Sequence, residues 1–362
     1  MTEAKSKKQL LILGSGFSKA VSEKMPTVRE LAEALKQQIN EDPELKDLED
    51  PKYQHLLNDP ELLLTYLAQD QPWKKSWEAL KERALFLRIS KWLAEQIEQC
   101  EDQAFGVEIP EWTKRLAKWL NETKAWVITF NYDTVLERAC WLYLKEVKPQ
   151  GDHHAIIFNS YRIPLAPIQS RIAAVLGDLE DYMFDLVKLH GSINWFYSGL
   201  EEFPGEQIYC RLVNSKSPYK DDYVSERSIL WGVSQEVLKM LLSDRINFII
   251  PPVAEKSRFY SNRTVRSLWG KARDYLQQAE EIYVIGYSLP DTDLTTKLLL
   301  QTACVGKTKT VYIVNNNVKG KENLLRRYKD AFPEGTIVRD DYIRPDAVEA
   351  MVNDLCKEVI VC

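Results

Sequence analysis

The chain has only four histidines, and its six cysteines (Cys100, Cys140, Cys210, Cys304, Cys356 and Cys362) include no Cys-x-x-Cys pair. Thiols scattered in this way offer no zinc-ligand spacing and suit reduced cysteines in a cytoplasm. A basic surplus is also lacking: 48 Lys and Arg against 53 Asp and Glu leave a net charge of −5. Without excess cations to neutralise phosphates, a general nucleic-acid binder is not expected. No apolar stretch approaches the length of a membrane-spanning helix. The opening "MTEAKSKKQLLILGSGFSKA" places lysines before an apolar run. That run is about five residues, however, below the roughly 7–15 of a secretory signal. A cytoplasmic protein without direct membrane or nucleic-acid partners is expected.

What is present is ordinary for a soluble globular chain: 362 residues, 45% apolar and 28% charged,. That length suits a large domain with insertions, or two domains. Short apolar or β-branched runs recur: "QLLILG" (9–14), "AWVITF" (125–130), "FDLVKL" (184–189), "INFIIP" (246–251), "EIYVIGYS" (281–288), "TVYIVN" (310–315) and "TIVRD" (336–340). Several are almost wholly apolar rather than alternating, as parallel strands covered on both faces are. Helical stretches lie between them. "TVRELAEALKQQI" pairs Thr27 with Glu30 at capping-box spacing and sets Val28, Leu31, Leu35 and Ile39 on one face,. "NYDTVLERACWLYL", "RTVRSLWGKARDYLQQA" and the final "DAVEAMVNDLCKEVI" also read as helices. Strands alternating with helices predict an α/β fold, a Rossmann-like, mostly parallel sheet with helices on both faces. The stretch 41–118 looks helical throughout, punctuated by Pro43, Pro51, Pro60, Pro72 and Pro110, and reads as an insertion,. Two further insertions are expected at about 151–183 and about 197–244, the latter holding the helix "SQEVLKMLLS".

Chemistry concentrates where strands end. Gly14-Ser15-Gly16-Phe17-Ser18 follows the first strand and leads into a helix, so its backbone can approach a diphosphate and its amides can bind one,. Lys19 stands where a third fingerprint glycine would be, and a tight strand-to-helix turn explains the glycines equally,. Asn131 and Asp133 follow the second strand, as ligand-binding groups or as caps of the next helix,. His190 follows the third run, as a proton acceptor or as a turn histidine held by hydrogen bonds,. Gly286, Tyr287 and Ser288 end a later strand, and Asp291 or Asp293 caps the helix after them,. Asn315 ends another, as a ribose ligand or as part of an Asn-rich turn,. His153-His154 has no partnered Cys or acid cluster and reads as a surface loop rather than a metal site; His55 has no special context,. All five strand-end segments would share one rim of one sheet. A single nucleotide site explains that better than five separate structural accidents.

Taken in order, Gly-Ser-Gly-Phe-Ser (14–18), Phe-Asn-Tyr-Asp (130–133), Leu-His-Gly-Ser (189–192), Gly-Tyr-Ser-Leu-Pro-Asp (286–291) and Val-Asn (314–315) resemble the NAD-binding signature of the sirtuin-like family. The likeness covers about 9–36, 125–145, 185–196 and 246–340. It implies a sirtuin-like NAD-binding Rossmann domain formed by 1–40 and 119–362, interrupted by the helical insertion 41–118. By resemblance, Gly14, Ser15, Gly16, Phe17 and Ser18 lie along the NAD diphosphate and nearby ribose. Gly286, Tyr287, Ser288 and Asp293 approach from the other side, and Asn315 meets the adenosine ribose. Asn131 and Asp133 match the pair that orders the nicotinamide ribose and carboxamide, and His190 matches the base. No metal is implied. Protein-deacylating sirtuins carry a zinc ribbon of two Cys-x-x-Cys pairs after that histidine, whereas 197–244 here holds one cysteine, Cys210. The family's Gly-Ile-Pro and Phe-Arg are replaced by "KMPTVREL". Zinc-less forms of this kind resemble prokaryotic anti-phage effectors that deplete NAD.

That resemblance implies NAD as substrate, cleaved to ADP-ribose and nicotinamide. It also implies homo-oligomers, a separate activating protein of the ATPase, translocase or Argonaute type, or both. An NAD-dependent protein deacylase and a non-catalytic module binding NAD or ADP-ribose are the alternatives. The final helix, running to Cys362, leaves no room for a sensor domain, so any sensor would be another chain. Tryptophans at 73, 77, 92, 112 and 119 are either a contact surface or an ordinary helical core.

Overall fold

Four consecutive apolar residues, Leu10 to Leu13, are all buried at the centre of β1 (Gln9–Leu13). The computed structural model describes residues 8–57, 60–69, 71–150, 153–163, 165–167, 181–198, 208–211, 245–250, 260, 262–291 and 293–360. After β1 come α1 (Ser15–Val21) and α2 (Val28–Glu41). The capping box of α2 forms as its spacing predicts. The Thr27 amide donates to Glu30 Oε2 at 2.7 Å, and the Glu30 amide donates to Thr27 Oγ1 at 3.3 Å. A 3-10 turn (Pro43–Glu49) then precedes α3 (Pro51–Gln54), α4 (Pro60–Ala68), α5 (Ser76–Phe105) and α6 (Trp112–Thr123). Pro43, Pro51 and Pro60 each open an element, where a missing N–H costs nothing,. The chain continues through β2 (Trp126–Thr129), α7 (Val135–Val147), α8 (His153–Ser160), β3 (Leu165–Pro167), β4 (Asp185–Lys188), β5 (Gly191–Ser198), β6 (Ile208–Cys210) and β7 (Arg245–Ile249). It ends with α9 (Arg263–Gln278), β8 (Glu281–Ile285), α10 (Leu294–Ala303), β9 (Thr310–Asn315), α11 (Lys321–Ala331), β10 (Ile337–Ile343) and α12 (Ala347–Ile360).

Six of these strands form one sheet in the order β4-β2-β1-β8-β9-β10, every neighbour parallel. The chain steps outward from β1 through β2 to β4, then returns to the other side of β1 and steps outward again. This is the doubly wound 3-2-1-4-5-6 order, with its reversal between β1 and β8. Right-handed crossovers running in opposite directions put their helices on opposite faces. Accordingly α7 and α12 pack on α6, while α9, α10 and α11 pack in series. The α/β class and the mostly parallel sheet with helices on both faces are as the sequence predicts.

One strand goes elsewhere. The run 246–251 joins β7 to a second, four-stranded sheet in the order β3-β6-β5-β7, where β7 lies antiparallel to β5. Phe248, Ile249 and Ile250 are all buried there, so the run has the same apolar signature as a parallel strand,. The stretch between β1 and β2 is helical as read. Its tryptophans divide: Trp92, Trp112 and Trp119 are core, whereas Trp73 and Trp77 are 71% and 60% exposed. About half of 151–183 and most of 197–244, including the helix read at 234–243, lie outside the described residues. Among the described residues no helix is long and apolar enough to cross a membrane.

Candidate active site at the sheet's switch point

Because the six strands are parallel, their carboxyl ends make one rim. The segments 14–18, 131–133, 190, 286–288 and 315 follow or end β1, β2, β4, β8 and β9 respectively, so all five lie on it. The reversal between β1 and β8 opens the rim where doubly wound sheets bind ligands.

At that point two loops touch backbone to backbone. The Gly14 amide donates to the Ile285 carbonyl and the Gly16 amide to the Gly286 carbonyl, both at 2.9 Å. A Cβ on Gly286 would lie 2.4 Å from the Gly16 carbonyl carbon, and its φ of +63° suits glycine alone,. The glycines therefore serve loop-to-loop packing first. With the Phe17 amide also engaged, by the Gly14 carbonyl, the groups facing outward here include Ser15, half-buried, and Ser288, exposed. The Phe17 ring turns into the core, edge-on to Trp112 at 6.0 Å.

Ser18, Asn131 and Asp133 form one hydrogen-bonded cluster. The Ser18 hydroxyl donates to Asp133 Oδ2 at 2.7 Å, and Asn131 Nδ2 donates to Ser18 Oγ and to the Gly14 carbonyl, both at 3.0 Å. A carbonyl can only accept, so the Asn131 amide orientation is fixed. Both its hydrogens are committed, and what Asn131 can offer a ligand is Oδ1. Of the two candidate caps for α7, Asp133 takes that role in part: its Oδ1 accepts from the Val135 amide at 3.2 Å. Burial holds the Asp133 carboxyl above its usual range, against the opposing pull of the Lys188 charge and the Ser18 bond,.

Two buried ion pairs support this loop. Glu101 of α5, fully buried, accepts from the Thr134 amide, from Thr134 Oγ1 at 2.8 Å and from Arg138 Nη1 at 3.1 Å. Lys188, at the end of β4 and also fully buried, donates to the Asp133 carbonyl and pairs with Glu137 at 2.9 Å. The sequence reading missed both. A lysine inside the apolar run "FDLVKL" was the available signal, since a buried ammonium requires a partner. Burial pushes Glu101 up to about 7, with Arg138 pulling against it and Asp133 adding to the rise. A carboxyl whose folded pKa exceeds its unfolded value binds an extra proton when folded. Its stabilising share is therefore full at low pH and is lost as pH rises from about 4.5 through about 7,. The stability of the native chain relative to Glu101→Gln should thus fall by up to ~3 kcal/mol between roughly pH 5 and pH 8. Denaturant melts of both proteins at the two pH values check this; a constant gap would contradict it.

His190 sits in the turn between β4 and β5, 7% exposed, its ring edge-on to Phe130 at 5.2 Å and tilted to Tyr132 at 6.3 Å. Gly191 after it has φ +78°, and a Cβ there would lie 2.1 Å from the Phe248 carbonyl oxygen. The His-Gly step is thus what lets β5 leave the parallel sheet and pair with β7. Across the switch point Phe130 stacks on Tyr287 at 4.3 Å, joining the tips of β2 and β8. Tyr287 donates to Asp293 Oδ2 at 2.5 Å, and Asp293 caps α10 through the Thr296 amide and hydroxyl. Asn315 Oδ1 accepts from the Asn317 amide at 2.8 Å, an Asx turn at the end of β9,. The structure therefore brings 14–18, 131–133, 190 and 286–288 into one contact network, while Asn315 stands further along the rim. Among the described residues no three His, Cys, Asp or Glu side chains are grouped as a metal ion would need.

No protein-family model matches the chain, and no curated protein does. Among solved structures the chain is similar to a Sir2 homologue in complex with NAD, at 13% identity and a TM-score of 0.42, over 99% of this chain and 91% of that one. It is similar to a variant of a Sir2 homologue in complex with ADP-ribose at 12% identity and a TM-score of 0.39, over 99% and 93%. A further Sir2 structure is similar at 12% identity and a TM-score of 0.40, over 99% and 95%. Likeness at this level adds no weight to a functional assignment. The strand order and the contacts at the rim define the site.

Proposed function

We propose that the chain is a sirtuin-like NAD glycohydrolase, cleaving NAD to ADP-ribose and nicotinamide. The observation that carries this reading is the Ser18–Asn131–Asp133 hydrogen-bonded cluster at the switch point, with His190 beside it against Phe130. The diphosphate is proposed to lie over the start of α1, near Ser15 and Ser288, with Asn315 towards the adenosine ribose. Asn131 Oδ1 accepts from a ribose hydroxyl or the attacking water, and Asp133 accepts from the carboxamide.

The chemistry asks little acid of the protein. The C1′–N bond breaks with its electron pair going to the pyridinium nitrogen, so nicotinamide leaves neutral without being protonated. Water attacks C1′ of the oxocarbenium-like ribose and must lose one proton, which His190 accepts. Positioning and electrostatics do the rest. Without a zinc ribbon between 197 and 244, water is the proposed acceptor rather than an acyl-lysine.

We further propose cytoplasmic action in anti-phage defence. An unregulated NAD-consuming enzyme would harm its host, so a homo-oligomer or a separate activating ATPase, translocase or Argonaute-type protein is proposed to control it. The stretch 41–118 is proposed as an insertion in the NAD-binding domain. His190→Ala is expected to cut nicotinamide release by roughly 10²–10⁴-fold with the chain still folded. Turnover equal to the native chain would sink the role given to His190. Release that occurs only with an acylated peptide would instead identify a deacylase, and tight NAD binding without release a non-catalytic module.

A further inference from the structure

α5 enters the site from outside the doubly wound framework. Glu101, near its carboxyl end, has no exposure, and its bonds go to Thr134, just before α7, and to Arg138 within it. Thr134 follows Asp133 directly, so a bond to the Thr134 amide fixes the peptide that carries the Asn131–Asp133 pair. From the other side Lys188 holds the Asp133 carbonyl, and Tyr132 is tied down by its carbonyl to the Ile193 amide at 2.9 Å. The loop is thereby held at consecutive peptides, and Glu101 reaches it from the helical stretch between β1 and β2.

We propose that Glu101 is a positioning residue for the NAD-cleaving site, holding the Asn131–Asp133 loop through its hydrogen bonds to Thr134. This rests on the function proposed above. Its grip comes from oxygen reach rather than charge. Arg138 has a second carboxylate, Asp102, at 3.4 Å, whereas the Thr134 amide and hydroxyl both donate to Glu101.

Two substitutions separate reach from charge. Glu101→Gln keeps the length and an acceptor oxygen and loses the charge; Glu101→Asp keeps the charge and loses a methylene of reach. Positioning predicts that Glu101→Asp lowers kcat by about tenfold with KM within about threefold, and that Glu101→Gln stays within about threefold of native. A merely structural ion pair predicts the reverse order, and that result would overturn the proposal. Amide hydrogen exchange over 129–137 reads the same loop without any turnover: Glu101→Asp should exchange faster and Glu101→Gln as the native chain does. Unchanged exchange in the Asp variant overturns the proposal as well. If the native chain leaves NAD intact, alone and with the products of its neighbouring genes added, while exchange follows the predicted order, the clamp stands and the NAD reading fails.

Discussion

Asn131→Ala is expected to abolish NAD cleavage, lowering kcat by roughly 10²–10³-fold, while the chain stays folded. The size follows from what Asn131 is bonded to. Its amide hydrogens hold the Gly14 carbonyl and Ser18 Oγ, so the side chain is fixed in one orientation and Oδ1 is the atom left for the proposed contact to ribose or water. Alanine removes that acceptor and releases Ser18 from one of its two partners. The stability cost is the desolvation left at Gly14 and Ser18, about 1–3 kcal/mol. Asn131→Asp is the informative companion. It puts a carboxylate oxygen opposite the Gly14 carbonyl where a donor stands now, so it should fail as fully as alanine despite its equal size. Nicotinamide release measured on the native chain and both variants checks the pair. An aspartate variant with native turnover would show that the amide's donors are dispensable.

Gly286→Ala is expected to cost about 2–4 kcal/mol of stability and to weaken NAD binding together with it. Two independent causes act at one atom. The φ of +63° is strained for any side chain, and the new Cβ would lie 2.4 Å from both the Gly16 carbonyl carbon and the Phe17 amide nitrogen. The neighbours it meets are backbone, which cannot rotate aside. Relief requires parting the β1–α1 turn from the tip of β8, which breaks the Gly16-to-Gly286 bond and shifts Tyr287 off Phe130. A control at Gly270 separates this from a general glycine effect, since nothing lies within 4 Å of a Cβ built there. Alanine at that helical position should hold or raise the melting temperature. Equal melting temperatures for the two alanine variants would remove the argument.

The parallel strands and their polar ends were legible because both signals are local. An apolar run of four to six residues followed by Gly, Asn or His can be read in one window, and the doubly wound order then makes neighbours of segments far apart in sequence. The capping box at Thr27 and Glu30 and the cap at Asp293 were legible for the same reason. What the sequence hid is pairing at long range. Run 246–251 is as apolar as β1, and nothing within it says which sheet will bury it. Lys188 and Glu137 are separated by 51 residues and Glu101 and Arg138 by 37, so no spacing rule connects either pair. Gly14 and Gly16 read equally as a ligand's approach or as a tight turn, and the structure shows them packed against Gly286 and Tyr287. A close backbone contact and a phosphate cradle call for the same residue, and only coordinates separate the two.

The most direct measurement is product analysis after incubating the purified full chain with NAD and no acylated peptide. The site described here predicts equimolar nicotinamide and ADP-ribose, with the signal lost in Asn131→Ala and His190→Ala. NAD that is neither bound nor consumed, by the chain alone or with the products of its neighbouring genes added, would contradict it.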